Sequence, residues 1–136
     1  MNALAQTLLR LCVPGVPDTY QGGELWNQSL VDPDNRRPVD YALRQAWLAE
    51  AQALWEGDAS ARQATLQQWL RAAPEGRAKF WVAWRLLQLR QAHPALLQQG
   101  DYLPLEVRGP RAAHVVAFAR RHAGRAARAT HDEEAL

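Results

Sequence analysis

The stretch Val13–Tyr41, VPGVPDTYQGGELWNQSLVDPDNRRPVDY, constrains the fold more than any other part of the chain. It carries Pro14, Pro17, Pro33 and Pro38, Gly15, Gly22 and Gly23, the aromatics Tyr20 and Trp26, and the adjacent Arg36 and Arg37. Each proline fixes its own φ and biases the residue before it away from helix, so the helical pattern that precedes the stretch must stop near Leu11. A connector this long with so little periodicity is either disordered or a functional loop, and its aromatics and acids argue against disorder. Val16–Gln21 reads as a short strand with Pro17 at its start. Gly22-Gly23 closes it, because glycine tolerates backbone angles that other residues avoid. Glu24 and Trp26 follow at once. Two readings fit them. An aromatic face beside a carboxylate can form a sugar-binding rim; a Trp-anchored turn with a capping glutamate is the plainer role. Asp32-Pro33-Asp34-Asn35-Arg36-Arg37-Pro38 is denser still. Its arginine forks suit carboxylates or paired hydroxyls, held between two prolines, and the plainer alternative is local Asp–Arg pairing on a solvated loop.

Around this stretch the periodicity is helical. Asn2 can cap a helix over Ala3–Leu11, with Leu4, Leu8 and Leu11 on one face. Asp40 can cap Tyr41–Trp55, with Leu43, Trp47, Leu54 and Trp55 as its buried side. A further helix is predicted over Ser60–Ala72, with Leu66, Trp69 and Leu70 inward. Lys79–Gln91 is the strongest helix: Phe80, Ala83, Trp84 and Leu87 form a stripe that Val82, Leu86 and Leu89 widen, so it expects cover on more than one side. Trp47, Trp81 and Trp84 are read as core rather than as sugar platforms. His93-Pro94 ends the helix, with His93 meeting its last carbonyls. Asp101–Val107 and His114–Arg120 are candidate strands around Gly109-Pro110. Two strands alone are not stable and need a partner or a covering helix. From Gly124 the chain turns to alanine, arginine and acid, and a frayed tail is expected.

Composition narrows the function. The 136 residues suffice for one ordinary domain, 48% of them are hydrophobic, and the net charge of +2 does not call for nucleic acid as a partner. The basic RRHAGRAAR run lacks the interleaved aromatics that stack bases. Cys12 is the single cysteine, so no internal disulfide can form, which suits a reducing cytoplasm, and it reads as buried filler rather than a nucleophile. Met1 is followed by neither a charged region nor a long apolar run, so no signal peptide is expected, and nothing approaches the roughly 20 apolar residues of a membrane span. His93, His114, His122 and His131 are scattered, which leaves no metal-ligand pattern. There is no glycine loop with lysine for phosphate and no Ser-His-Asp set.

PGVPDTYQGGELW followed by LVDPDNRRPVDYALR, then KFWVAWRLLQLRQAHPALLQQGDYLPLEV and HVVAFARR in the same order, resembles the C-terminal region of malto-oligosyltrehalose synthase, a family of the α-amylase superfamily. The resemblance runs from about Leu4 to Arg121. PGVP-D-x-YQG-x-E alone indicates the superfamily; with VDPDNRRPVDY and GDYLPL it is specific to this enzyme.

The resemblance implies a mainly α chain with a few strands. It would be the C-terminal end of a (β/α)8 barrel over residues 1–98, with a helical insertion at 41–73. The first two strands of an incomplete β-domain would follow at 99–122, then a disordered tail at 123–136. Ala3–Leu11 would be the seventh barrel helix, Val16–Gln21 the eighth strand and Lys79–Gln91 the eighth helix. It also implies the chemistry of an isomerase. The terminal α-1,4 bond of a maltooligosaccharide is rebuilt as α,α-1,1 by intramolecular transglucosylation, with retaining-type carboxylates about 5–5.5 Å apart. Those carboxylates belong to earlier strands, so no catalytic residue is assigned here and the chain alone is expected to be inactive. Barrel sites lie at the C-terminal ends of the strands, which puts Gln21, Glu24 and the Asp32–Arg37 loop toward the sugar. Asp32 and Arg36 match the DPxxR positions that hold the sugar next to the cleaved unit, and Arg37 joins them as a substrate-binding residue. No cofactor or metal is implied, and neither nucleic acid nor membrane. The partner is a maltooligosaccharide, once the chain is joined to the missing N-terminal part. A barrel strand without neighbours leaves backbone groups unpaired, so loose folding is expected in isolation. Two other classes fit the residues less well: a noncatalytic helical module binding oligosaccharide or a protein partner, and a basic nucleic-acid binder with steep salt dependence.

Overall fold

The structure, a computed structural model, describes residues 2–27 and 36–122. In chain order it contains α1 (Asn2–Cys12), α2 (Tyr41–Glu56), α3 (Ala59–Arg71), α4 (Arg77–Ala92), α5 (Pro94–Gln99), β1 (Asp101–Pro104) and β2 (Phe118–Arg121). Short 3-10 turns sit at Ala73–Glu75 and Ala112–His114. The described residues are mainly helical, with one two-stranded antiparallel sheet. The chain divides into two units. One holds the residues up to Leu11 and Pro17–Leu87; the other holds Cys12–Val16 and the residues from Gln88 onward. The tail expected at 123–136 lies outside the described residues.

In the first unit Asp40 caps its helix as expected and Asp58, not expected as a cap, caps the next, whereas Asn2 is already the first residue of α1. The Asp40 carboxylate accepts the Leu43 N–H at 2.8 Å and starts α2. Asp58 accepts the Ser60 and Ala61 N–H groups at 2.8 and 2.9 Å and starts α3. These satisfy donors that a helix start leaves without partners. The Ser60 hydroxyl also donates to Asp58. That bond, followed by the backbone donors, holds the Asp58 carboxyl below its ordinary range.

The core of this unit is Ala51, Trp69, Ala78 and Trp81, with Leu54, Leu66, Val82 and Trp84 packed against it. Trp81 is its centre. Its ring lies 6.0 Å from that of Trp69 and 5.3 Å from that of Trp84, both edge to face. Trp47 meets Phe80 the same way at 5.9 Å. Such pairs contribute beyond the area they bury. Alanines at 51 and 78 leave room for these rings between the helices. Arginines close the outside: the Arg85 guanidinium sits 3.4 Å from the Trp55 ring centre, Arg62 lies 4.8 Å from the same ring, and Arg77 lies 4.8 Å from Trp47.

Several details differ from expectation. Val16–Gln21 forms no strand: Val16 is 98% exposed, and β-pairing among the described residues is confined to β1 and β2. A strand is defined by its neighbours, and none runs beside this segment among those residues. Gln21–Glu24 is a turn instead. Leu70 and Leu87, expected inward, are exposed. On α3 the core direction belongs to Trp69, and the next residue points about 100° round the helix. Leu43 is also exposed, and Trp55 is covered by guanidinium groups rather than buried. On α1 the buried residues are Thr7 and Leu11, while Leu8 is exposed.

The second unit contains a helix the sequence reading passed over. His93 is the N-cap of α5 through its backbone: its carbonyl accepts the Leu97 N–H, and its side chain makes no capping bond. Pro94 occupies the first turn, where a missing N–H costs nothing. Leu97 is buried. β1 and β2 pair Asp101 with Arg121 through Pro104 with Phe118. Tyr102 and Phe118 stack at 5.1 Å. Both strands are shorter than expected. Beyond Pro104 one more bond forms, Leu105 N–H to Ala117 O, and the ladder ends; Ala112–His114 is a 3-10 turn, not strand. Arg120 gathers the unit. Its guanidinium donates to the carbonyls of Gly100 at 2.7 Å, Cys12 at 2.9 Å, and Leu96, Leu97 and Asp101 at 3.3 Å. It thereby ties the ends of α1 and α5 to the start of β1 through their carbonyls. Cys12 is half-buried, and burial raises its thiol pKa against the opposing charges of Arg90 and Arg120.

Candidate functional site

The residues singled out in the sequence centre on the turn Tyr20–Trp26. Gly23 N–H donates to Tyr20 O at 2.9 Å and Leu25 N–H to Gly22 O at 3.3 Å. Gly22 has φ +88°, a conformation that side chains rarely adopt. A Cβ on Gly23 would lie 2.9 Å from the Tyr20 carbonyl oxygen. The glycine pair is therefore required by the backbone path.

Two helix starts clamp this turn. From α2, the Arg44 guanidinium meets Glu24 Oε2 through Nε at 3.1 Å, donates to Gly22 O at 3.2 Å, and reaches back to Asp40 O at 2.9 Å. The Tyr41 hydroxyl donates to Gln21 Oε1 at 3.0 Å. From α4, Lys79 Nζ donates to Gly23 O at 2.9 Å and Leu25 O at 2.6 Å. The Trp26 indole N–H donates to Ala73 O at 2.9 Å, and Lys79 Nζ lies 5.2 Å from the Trp26 ring centre. Burial, with the charge of Arg10 second and that of Glu24 opposing, lowers the Lys79 pKa.

The arrangement contains the Trp-anchored turn of the plainer reading. Trp26 does anchor the turn, and Glu24 is ion-paired rather than free. Yet Tyr20, Trp26 and Tyr41 each leave ring surface exposed around a fixed array of carboxylate, amide and hydroxyl groups. Of the predicted residues, Gln21 and Glu24 are brought together here. Arg36 and Arg37 are exposed and precede α2; both make interactions of their own. Asp32 lies outside the described residues. Tyr41, Arg44 and Lys79 were missed as parts of the site. The available signal was local: Tyr41 and Arg44 are three residues apart after a helix cap, hence on one face of the first turn. Lys79, the chain's single lysine, carried no such signal.

Among the described residues no three His, Cys, Asp or Glu side chains converge as metal ligands. No helix among them is long and apolar enough to cross a membrane.

No family model matches the chain. Over 119 residues, 88% of its length, it is 44% identical to a putative maltooligosyl trehalose synthase of Mycobacterium tuberculosis, in each of the strains CDC 1551 / Oshkosh and ATCC 25618 / H37Rv. A crystal structure of maltooligosyl trehalose synthase superimposes with a TM-score of 0.66 at 27% identity, over 88% of this chain and 15% of that one. The chain spans only 12% of the length of the curated relatives it matches. Sequence and backbone agree on one assignment: the chain belongs to the maltooligosyl trehalose synthase family.

Proposed function

We propose that this chain is the C-terminal portion of a malto-oligosyltrehalose synthase, an isomerase of the α-amylase superfamily acting in trehalose biosynthesis. The whole enzyme rebuilds the terminal α-1,4 linkage of a maltooligosaccharide as α,α-1,1 by intramolecular transglucosylation. Residues 1–98 are then the end of its (β/α)8 barrel, with the helical insertion at 41–73, and residues 99–122 begin its β-domain. The enzyme works in the cytoplasm, where the lone thiol of Cys12 stays reduced.

The observation that carries this reading is the 44% identity over 88% of the chain. The clamped turn supports the assignment of Gln21 and Glu24 as substrate-facing groups. Their side chains are already fixed by Tyr41 and Arg44, so a sugar meets acceptors and rings whose ordering cost has been met in folding. Asp32, Arg36 and Arg37 complete the proposed contacts. The acids that break and remake the bond are assigned to polypeptide outside this stretch, because the family resemblance puts them after earlier barrel strands.

The test is direct. The purified chain is incubated with maltopentaose, and non-reducing, trehalose-ended product is sought. None is expected from the chain alone, and product is expected when the remaining polypeptide is joined to it. Product from the chain alone would overturn the division of labour. Tight maltopentaose binding by the chain alone, with no conversion even in the joined protein, would instead establish a noncatalytic binding module.

A further inference from the structure

Trp26 is fastened by one edge of its ring. The indole N–H donates to Ala73 O at 2.9 Å, in the 3-10 turn between α3 and α4. The same edge lies against Gly76: a Cβ there would stand 3.3 Å from Trp26 Cδ1, 3.5 Å from Nε1 and 3.7 Å from Leu25 Cδ2. We propose that Trp26 is a pyranose-stacking platform and that Gly76 is the positioning residue that seats it. This rests on the function proposed above and adds to it the surface on which a glucosyl ring lies.

Exposure, orientation and a neighbouring acceptor separate this ring from a packing tryptophan. Trp69 and Trp81, which fill the core, are 8% and 9% exposed, whereas Trp26 is 38% exposed although one edge is seated. Its orientation is fixed before any ligand arrives. The Ala73 bond and the Gly76 contact hold one edge, and Lys79 Nζ lies over the ring 5.2 Å from its centre. The same ammonium holds the backbone just before it through Gly23 O and Leu25 O. A tryptophan held in this way offers wide apolar surface at little further entropic cost. Glu24, two residues earlier, supplies the polar contact. Its Oε2 meets Arg44, while its Oε1 has no partner among the described residues and the side chain is partly exposed, so it can accept a sugar hydroxyl. A pyranose carries C–H groups on its faces and hydroxyls at its rim, which matches an open indole beside a carboxylate oxygen.

Gly76 meets two separate demands. Its φ is +90°, a conformation that side chains rarely adopt, and it ends the 3-10 turn by donating its N–H to Ala73 O at 3.2 Å. That carbonyl is the one that accepts the Trp26 indole, so the turn and the ring share an acceptor with two lone pairs. The second demand is the close approach. A Cβ at 76 presses on Trp26 Cδ1 at 3.3 Å, so the indole must tilt and its bond to Ala73 O must lengthen or break. A role confined to ending the turn needs the positive φ but not the empty space beside the ring. Asparagine tells the two apart, because it tolerates positive φ and still carries a Cβ.

The full chain, labelled with ¹⁵N, is titrated with maltopentaose while the indole N–H resonances are followed. Trp26 is identified by the resonance lost in Trp26→Phe, and sorbitol, an acyclic polyol without a stacking face, is the control. The expected result is a saturating shift of the Trp26 resonance with maltopentaose at millimolar concentration, absent with sorbitol and absent from Trp81. In Gly76→Ala and Gly76→Asn the Trp26 indole N–H should exchange with solvent faster even without sugar. Both variants should bind maltopentaose roughly fivefold more weakly, with the Trp81 resonance in place. Should Gly76→Ala not fold, Gly76→Asn carries the comparison. No saturating Trp26 shift in the wild type, or wild-type affinity in Gly76→Asn, would overturn the proposal. Failure of the proposed function is a separate result: it is the lack of trehalose-ended product from the joined protein, and it leaves the Trp26 titration unaffected.

Discussion

Replacing Lys79 by Met isolates what one ammonium group does for the Tyr20–Trp26 turn. Methionine keeps most of the aliphatic stem and removes the donor that meets Gly23 O at 2.9 Å and Leu25 O at 2.6 Å. Hydrogen bonds to a charged group are each worth about 1.5–3 kcal/mol. Lys79 is only partly buried, so water takes up part of what the two carbonyls lose, and a combined loss of about 2 kcal/mol is expected. The loss is local first. The turn is held by few other backbone bonds, Gly23 N–H to Tyr20 O and Leu25 N–H to Gly22 O, so these amides should exchange with solvent roughly 30-fold faster in K79M. Amide exchange at neutral pH, read by NMR, measures it without requiring a global transition. A second arm follows from the lysine's own titration. Its pKa is lowered in the fold, by burial first and Arg10 second, from an ordinary value of 10.5. Between the folded value and 10.5 the unfolded chain binds more protons, so wild-type stability rises with pH across that window. The mutant lacks this rise. The urea-unfolding difference between wild type and K79M should therefore widen as pH approaches 10. Unchanged exchange at Gly23 and Leu25, or a difference that shrinks on raising pH, would refute the reasoning.

Gly22→Ala should destabilise the turn by about 1–2 kcal/mol, since φ is +88° there and the new methyl meets Val39 Cγ2 at 3.4 Å; urea unfolding measures it. Arg120→Met removes the donors to five carbonyls at the end of α1, the end of α5 and the start of β1 and should cost about 3 kcal/mol, with exchange protection lost at Gly100. Cys12 should react more slowly with iodoacetamide at neutral pH than a free thiol does, because burial raises its pKa; urea should abolish the difference.

Elements that rest on neighbouring residues were legible along the chain. Asp40 starts α2 because its carboxylate reaches an N–H three residues away, and that distance is set by the chain itself. The stop before Pro14 and the turn at Gly22-Gly23 were legible for the same reason, since each follows from local backbone limits; the core was legible only in part, because the stripe read on α4 was Phe80, Ala83, Trp84 and Leu87, whereas Ala78, Trp81 and Ala83 are the residues it buries. The family was legible too, because the VDPDNRRPVDY and PGVPDTYQGGE stretches are specific in order as well as in composition.

What only the tertiary structure decided depends on partners distant in sequence. Val16–Gln21 has the residues of a strand, yet pairing is a property of two segments, and among the described residues no second one runs beside it. Lys79 bonds carbonyls more than 50 positions earlier, and Arg120 reaches Cys12 across 108. No local pattern encodes such contacts, because a carbonyl oxygen looks the same in every residue. Whether Glu24 is a free base or half of an ion pair likewise turns on where Arg44 is placed once α2 has docked. Local sterics and periodicity can be read one residue after another; a polar group's partner exists only after the chain has folded back on itself.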